Sequence, residues 1–162
     1  MIIQVLGAFI GIIFVSIGYR IERQFLVYCG LCGAGGWFVY LLLLDYLKVT
    51  YLPIRVFTAT AVVAFMAHIF ARVVKVPVTL FLIPGILPLV PGLRLYRCVY
   101  NLIMSDTQAA NQYFVETLQT AGSIAFAIFT VDTFFRMLYK KMVRKRHFLP
   151  PIKKIQKENK LK

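Results

Sequence analysis

Pro84-Gly85-Ile86-Leu87-Pro88-Leu89-Val90-Pro91-Gly92 is the stretch on which the architecture of this chain turns. Three prolines within it cannot continue an undisturbed helix, because each lacks an N–H and its ring meets the carbonyl one turn earlier. The glycines beside them open backbone geometries that other residues avoid. Yet the stretch is uncharged and belongs to an apolar run that begins at Val76. Bare carbonyls are too costly against lipid, so broken backbone at membrane depth survives only where protein buries it or where it lines a watery cavity. In transporters such breaks build solute sites from helix ends and free carbonyls. The competing reading is a loop at the membrane surface, or a kinked helix without a ligand.

Four further apolar segments surround this one. Ile2 to Tyr19 carries no charge and ends at Arg20-Ile21-Glu22-Arg23; Phe25 to Leu44 is also uncharged and ends at Asp45. Ile54 to Ala71 holds Arg55 and His68 and is closed by Arg72 and Lys75. Thr120 to Tyr139 contains Asp132 and Arg136. Crossing the hydrocarbon core takes about 20 mostly apolar residues in a helix, and no strand-like alternation covers these runs. The expected fold is therefore all-α: a polytopic membrane bundle of about five spans, the fourth (Val76 to Val90) broken by proline and glycine. The N-terminus has no basic residue ahead of its apolar run and no small-residue cleavage site near Ser16 to Tyr19, so it reads as a retained span rather than a signal peptide.

Composition supports this class and excludes others. The 162 residues are 60% hydrophobic and only 15% charged, too little charged surface for a soluble domain. The net charge of +13 is concentrated at one end: ten of the 19 Lys and Arg fall between Lys140 and Lys162. The expected division is a transmembrane domain over 1–140 and a basic cytoplasmic tail over 141–162. Such a block can bind nucleic acid, but its position directly after an apolar segment favours the cytoplasmic flank of a span, attracted to anionic lipids, over a nucleic-acid partner. Threading five spans with the tail inside places Arg20, Arg23, Arg72, Lys75, Arg136 and the tail in the cytoplasm. Only Lys48, Arg55, Arg94 and Arg97 then fall outside. The bias gives N-terminus out and C-terminus in. A four-span alternative, with the proline-rich run only dipping into the membrane, turns the N-terminus inward.

The residues that follow the break are polar in pattern. Arg94 and Arg97, three apart on an amphipathic helix, suit a carboxylate, or snorkel to headgroups. The candidate solute path is thus Pro84, Gly85, Pro88, Pro91, Gly92, Arg94 and Arg97. Ser105 with Gln108 three residues on signals a helix start, and that helix is expected to run through Asn111, Gln112 and Glu116 into the last span. Acids within membranes are usually functional or paired. Asp106, Glu116 and Asp132 are therefore candidates for proton coupling, with Asp106 as a plain helix cap and Asp132–Arg136 as an internal pair the competing readings. Cys29-x-x-Cys32 has no second pair at metal-site spacing and reads as small packing residues. Gly7-x-x-x-Gly11 and the cluster Gly30, Gly33, Gly35, Gly36 permit close helix contact, within the chain or with another subunit. No hydrolase, phosphate-binding or zinc motif is present, so neither catalytic residues, metal nor cofactor is expected. The competing functional class is a structural or regulatory membrane protein whose working part is the basic tail.

Gly33-Ala34-Gly35-Gly36-Trp37, Lys75-x-Pro77, and Pro84 to Gly92 followed by an aromatic-basic helix resemble the threonine/serine exporter (ThrE-like) family. The chain is most similar to its small YjjB-type subunit, over roughly residues 1–140. The resemblance implies a plasma or inner membrane exporter of hydroxy amino acids (threonine, serine) or dicarboxylates (succinate). It also implies a larger, separately encoded ThrE-like/YjjP-type partner subunit, and an oligomeric assembly. It supplies no catalytic residues, and the basic tail lies outside its pattern.

Overall fold

A computed structural model describes residues 1–147, and those residues are mainly helical, with no strand among them. The α-helices are α1 (Ile2–Gly18), α2 (Leu26–Asp45), α3 (Leu52–Val74), α4 (Thr79–Ile86), α5 (Gly92–Ile103) and α6 (Thr107–His147). Short 3-10 turns precede α2 (Arg23–Phe25) and follow α4 (Leu87–Leu89). Met1–Val131 forms one compact unit and a second begins at Asp132. α6 runs on to His147; the remainder of the expected basic tail, 148–162, lies outside the described residues.

Among the described residues, three helices are long and apolar enough to cross a bilayer: the stretch Arg23–Asp45 that contains α2, α3, and Thr107–Leu138 of α6. The count becomes four if α4 with its 3-10 turn and α5 are taken as one span bent by 50°. The 17-residue α1 is apolar but shorter. The expected fourth span ended at Val90, but Thr79–Leu89 rises only about 17 Å, little more than half of the hydrocarbon thickness. A crossing in this region needs α5 as well.

α2 is the centre of the first unit, with α1, α3 and α4 packed around it. Glycine makes this possible. A Cβ on Gly33 would stand 2.6 Å from Ile12 of α1, one on Gly30 2.8 Å from Phe9, and one on Gly36 would overlap Val63 of α3. Gly85 seats α4 in the same way, between Val63 and Cys32. The sequence suggested unusual backbone geometry for the glycines at the break, but no glycine has positive φ. What glycine contributes here is the absence of a side chain. Among the described residues, those that do have positive φ are Arg20, Lys48, Lys75 and Ser105, just beyond the C-terminal ends of α1, α2, α3 and α5. There the reversed backbone lets N–H groups beyond the helix reach its last free carbonyls, as Val76 to Ala71 (3.0 Å) and Asp106 to Asn101 (2.9 Å).

Pro84 stands inside α4 without ending it. It has no N–H to give the Leu80 carbonyl one turn back, and the Cys29 thiol of α2 donates to that carbonyl at 3.6 Å. Cys29 and Cys32 are both fully buried, unbridged and part of the core with Val56, Ala59, Val63 and Phe81. Large apolar side chains such as Ile3, Phe14, Ile54, Phe126 and Phe129 are meanwhile exposed. Small residues inside and large apolar ones outside is the arrangement expected of a lipid-facing bundle.

Candidate functional site

The break is reached at Val90, where the backbone turns extended (φ −63°, ψ 133°) before Pro91 opens α5. Gly92 donates to the Val90 carbonyl (2.9 Å) and Leu95 to that of Pro91 (3.0 Å), so the chain re-enters a helix within two residues. Leu89 lies against Gly36, which stands midway along α2. The break is therefore level with the middle of the bundle rather than at its end.

Beside it is a pocket of about 210 Å³, lined by Trp37 and Tyr40 of α2, Val56 of α3, Pro88 to Pro91 at the break, and Arg94 of α5. That is below the roughly 300–1,000 Å³ of sites for drug-sized ligands and suits a solute of few heavy atoms. Trp37 and Tyr40 stack with centroids 5.2 Å apart. The Arg55 guanidinium covers Tyr40 at 5.3 Å. Arg55 also donates from Nη2 to the Thr50 carbonyl at 3.4 Å, while its buried Nε has no hydrogen-bond partner among the described residues.

α5 and the start of α6 form an antiparallel hairpin about Met104–Asp106. Arg94 Nε donates to Glu116 Oε2 at 3.3 Å. Three residues further along α5, Arg97 lies over the Tyr113 ring at 5.8 Å, three residues back along α6. Gln112 Nε2 donates to the other Glu116 oxygen at 3.4 Å. The opposite face of α5 exposes Leu95, Tyr96, Val99, Leu102 and Ile103. Its polar residues thus turn toward a neighbouring helix and its apolar ones away, the reverse of a helix on a soluble protein.

The expected path residues separate into three groups. Pro88, Pro91 and Arg94 line the pocket. Pro84 and Gly85 are buried against α2 and α3 and serve packing, Pro84 also bordering a second, apolar pocket near Pro77 and Ile83. Gly92 is open, and Arg97 faces Tyr113. Of the three acids, Glu116 adjoins the pocket through Arg94. Asp106 is exposed and caps α6, accepting from the Ala109 N–H at 3.1 Å. It takes the place expected of Ser105, which cannot cap because it occupies the left-handed turn that ends α5. Asp132 pairs with Arg136 at 2.7 Å, one turn along α6. Sequence reasoning missed Trp37, Tyr40 and Arg55 as site residues. The three-residue spacing of Trp37 and Tyr40 was visible, but the approach of Arg55 from α3 depends on tertiary packing.

A family model described as Threonine/Serine exporter, ThrE, matches residues 4–134. No curated protein and no solved structure matches the chain.

Proposed function

The chain belongs to the threonine/serine exporter family, and from that premise we propose that it is a membrane subunit of a small-solute exporter whose path passes the pocket beside Pro88–Arg94. The family is one of transporters rather than enzymes. The observation that carries the reading is the break itself: irregular backbone level with the middle of α2, beside a small pocket lined by Arg94 and two stacked rings. A carboxylate is the natural counterpart of the guanidinium, and the carbonyls at the break suit an ammonium or hydroxyl. Hydroxy amino acids such as threonine and serine satisfy both demands, and dicarboxylates such as succinate satisfy the first.

Five crossings are obtained by counting the short α1 and by joining α4 to α5. The N-terminus then lies outside and the C-terminus in the cytoplasm of a plasma or inner membrane, with the basic tail against anionic lipid. In this arrangement Arg94, Arg97 and Glu116 lie within the fourth and fifth spans, where an unpaired charge is expensive. Arg94 and Glu116 pair with each other, and Arg97 lies over the Tyr113 ring, which supports it. Of Asp106, Glu116 and Asp132, only Glu116 adjoins the pocket, and it does so by holding Arg94. A larger ThrE-like/YjjP-type subunit and oligomeric assembly complete the proposal.

The test is export of threonine, serine and succinate from cells producing this chain, the larger subunit, or both. Export requiring both supports a two-part exporter, and replacing Arg94 and Arg97 by Gln is expected to abolish it with membrane abundance unchanged. Undiminished export by that double variant would remove the two arginines from the path.

A further inference from the structure

Arg94 has a guanidinium with two usable faces, and only one is engaged. Glu116 holds the side face through Nε at 3.3 Å. Nη1 and Nη2, at the end of the group, have no hydrogen-bond partner among the described residues. Glu116 is in turn held by Gln112, which donates to its other oxygen. The pair is about one-third exposed on each side (32% and 33%), and Arg94 borders the pocket at the point where α5 begins.

We propose that Glu116, steadied by Gln112, is the positioning residue for the solute: it fixes Arg94 by Nε so that the end-on Nη pair meets the solute carboxylate with two parallel hydrogen bonds. This rests on the reading of the pocket as a solute site. A guanidinium on a free stem has to be ordered when the solute arrives, and that ordering weakens binding. One already held at Nε has lost that freedom, and its planar fork matches a carboxylate. Glu116 also offsets part of the arginine charge within the membrane, so that the empty site is not left with an unpaired cation. Glu116 does not touch the solute in this scheme. It acts through Arg94.

Uptake of radiolabelled threonine and of succinate into inside-out vesicles, prepared from cells that produce the full chain with its larger partner, tests this. Glu116→Ala is expected to raise the KM for the transported solute roughly three- to tenfold, the factor for ordering one rotamer-rich side chain. Vmax should stay within about twofold, because the fork still forms once the solute is bound. Glu116→Gln should restore most of the affinity, because an amide oxygen still accepts the Nε–H. An unchanged KM in Glu116→Ala, a lowered KM (Glu116 as a competitor of the solute), a collapse of Vmax at constant KM, or no rescue by Gln would each overturn the proposal. Arg94→Gln in the same vesicles separates the two layers. If it abolishes uptake while Glu116→Ala has no effect, the positioning role alone fails; if it too has no effect, the pocket reading fails with it. Uptake of neither solute above vesicles lacking the chain would remove both.

Discussion

At the residue scale, the glycines of this chain fall into two populations that a sequence shows as one. Gly30, Gly33, Gly36 and Gly85 each occupy a place where a Cβ would run into a neighbouring helix, whereas a Cβ on Gly7 or Gly11 would meet nothing. Substituting Gly36 by Val is accordingly expected to lower stability by about 1–3 kcal/mol, the usual cost of overpacking. Gly7→Ala and Gly11→Ala should not lower it at all, since alanine is the better helix former. Thermal unfolding in detergent distinguishes them, and a loss on Gly7→Ala equal to that on Gly36→Val would refute the division. The crowding of glycine in α2 was legible as close packing, but which helix each one admits was not, because that depends on the rotation of α2 against three neighbours. The Cys29-x-x-Cys32 pair was legible as small core residues. The donation of the Cys29 thiol to the carbonyl opposite Pro84 required the structure, since it joins residues 51 apart in sequence.

At the scale of elements, the apolar runs marked α1, α2 and α3 closely, and the continuity of α6 from its polar start into its apolar half was also expected. The region after Pro84 was harder. Proline reports that a helix is disturbed, not where the disturbance falls: α4 continues past Pro84 to Ile86, and a 3-10 turn carries the chain on before the backbone opens at Val90–Pro91. The end of α5 was misread for a related reason: Ser105 has the composition of a cap, but the reversal between two antiparallel helices takes that residue for its left-handed turn at φ 61°. Glycine adopts this conformation without the cost that a Cβ imposes. Ser105 is exposed, so Ser105→Gly removes no packing. It is expected to stabilise the hairpin by about 0.5–1 kcal/mol, read as a rise in melting temperature. A fall of similar size would mean that the serine side chain contributes something beyond the turn.

At the scale of the molecule, charge determines the orientation and the helices determine what lies at which depth. In the proposed orientation, with Arg20, Arg23, Arg72, Lys75 and the basic C-terminal residues on the cytoplasmic side, the turn Met104–Asp106 is external. A cysteine replacing the exposed Met104 is therefore expected to react with a membrane-impermeant maleimide added to intact cells, with the buried Cys29, Cys32 and Cys98 giving little background. Labelling only from the cytoplasmic face would invert the topology. The same turn governs something else. The contacts Arg94–Glu116 and Arg97–Tyr113 share one register, so they tolerate no change in the number of residues between them. Deleting a single residue from the turn would rotate every side chain of α6 by about 100° relative to α5 and carry Glu116 and Tyr113 away from both arginines together. Ile124 of α6, which belongs to the same core as Val56 and Val63, would move with them. Length, more than side-chain identity, is thus the constrained property of the three residues that join α5 to α6.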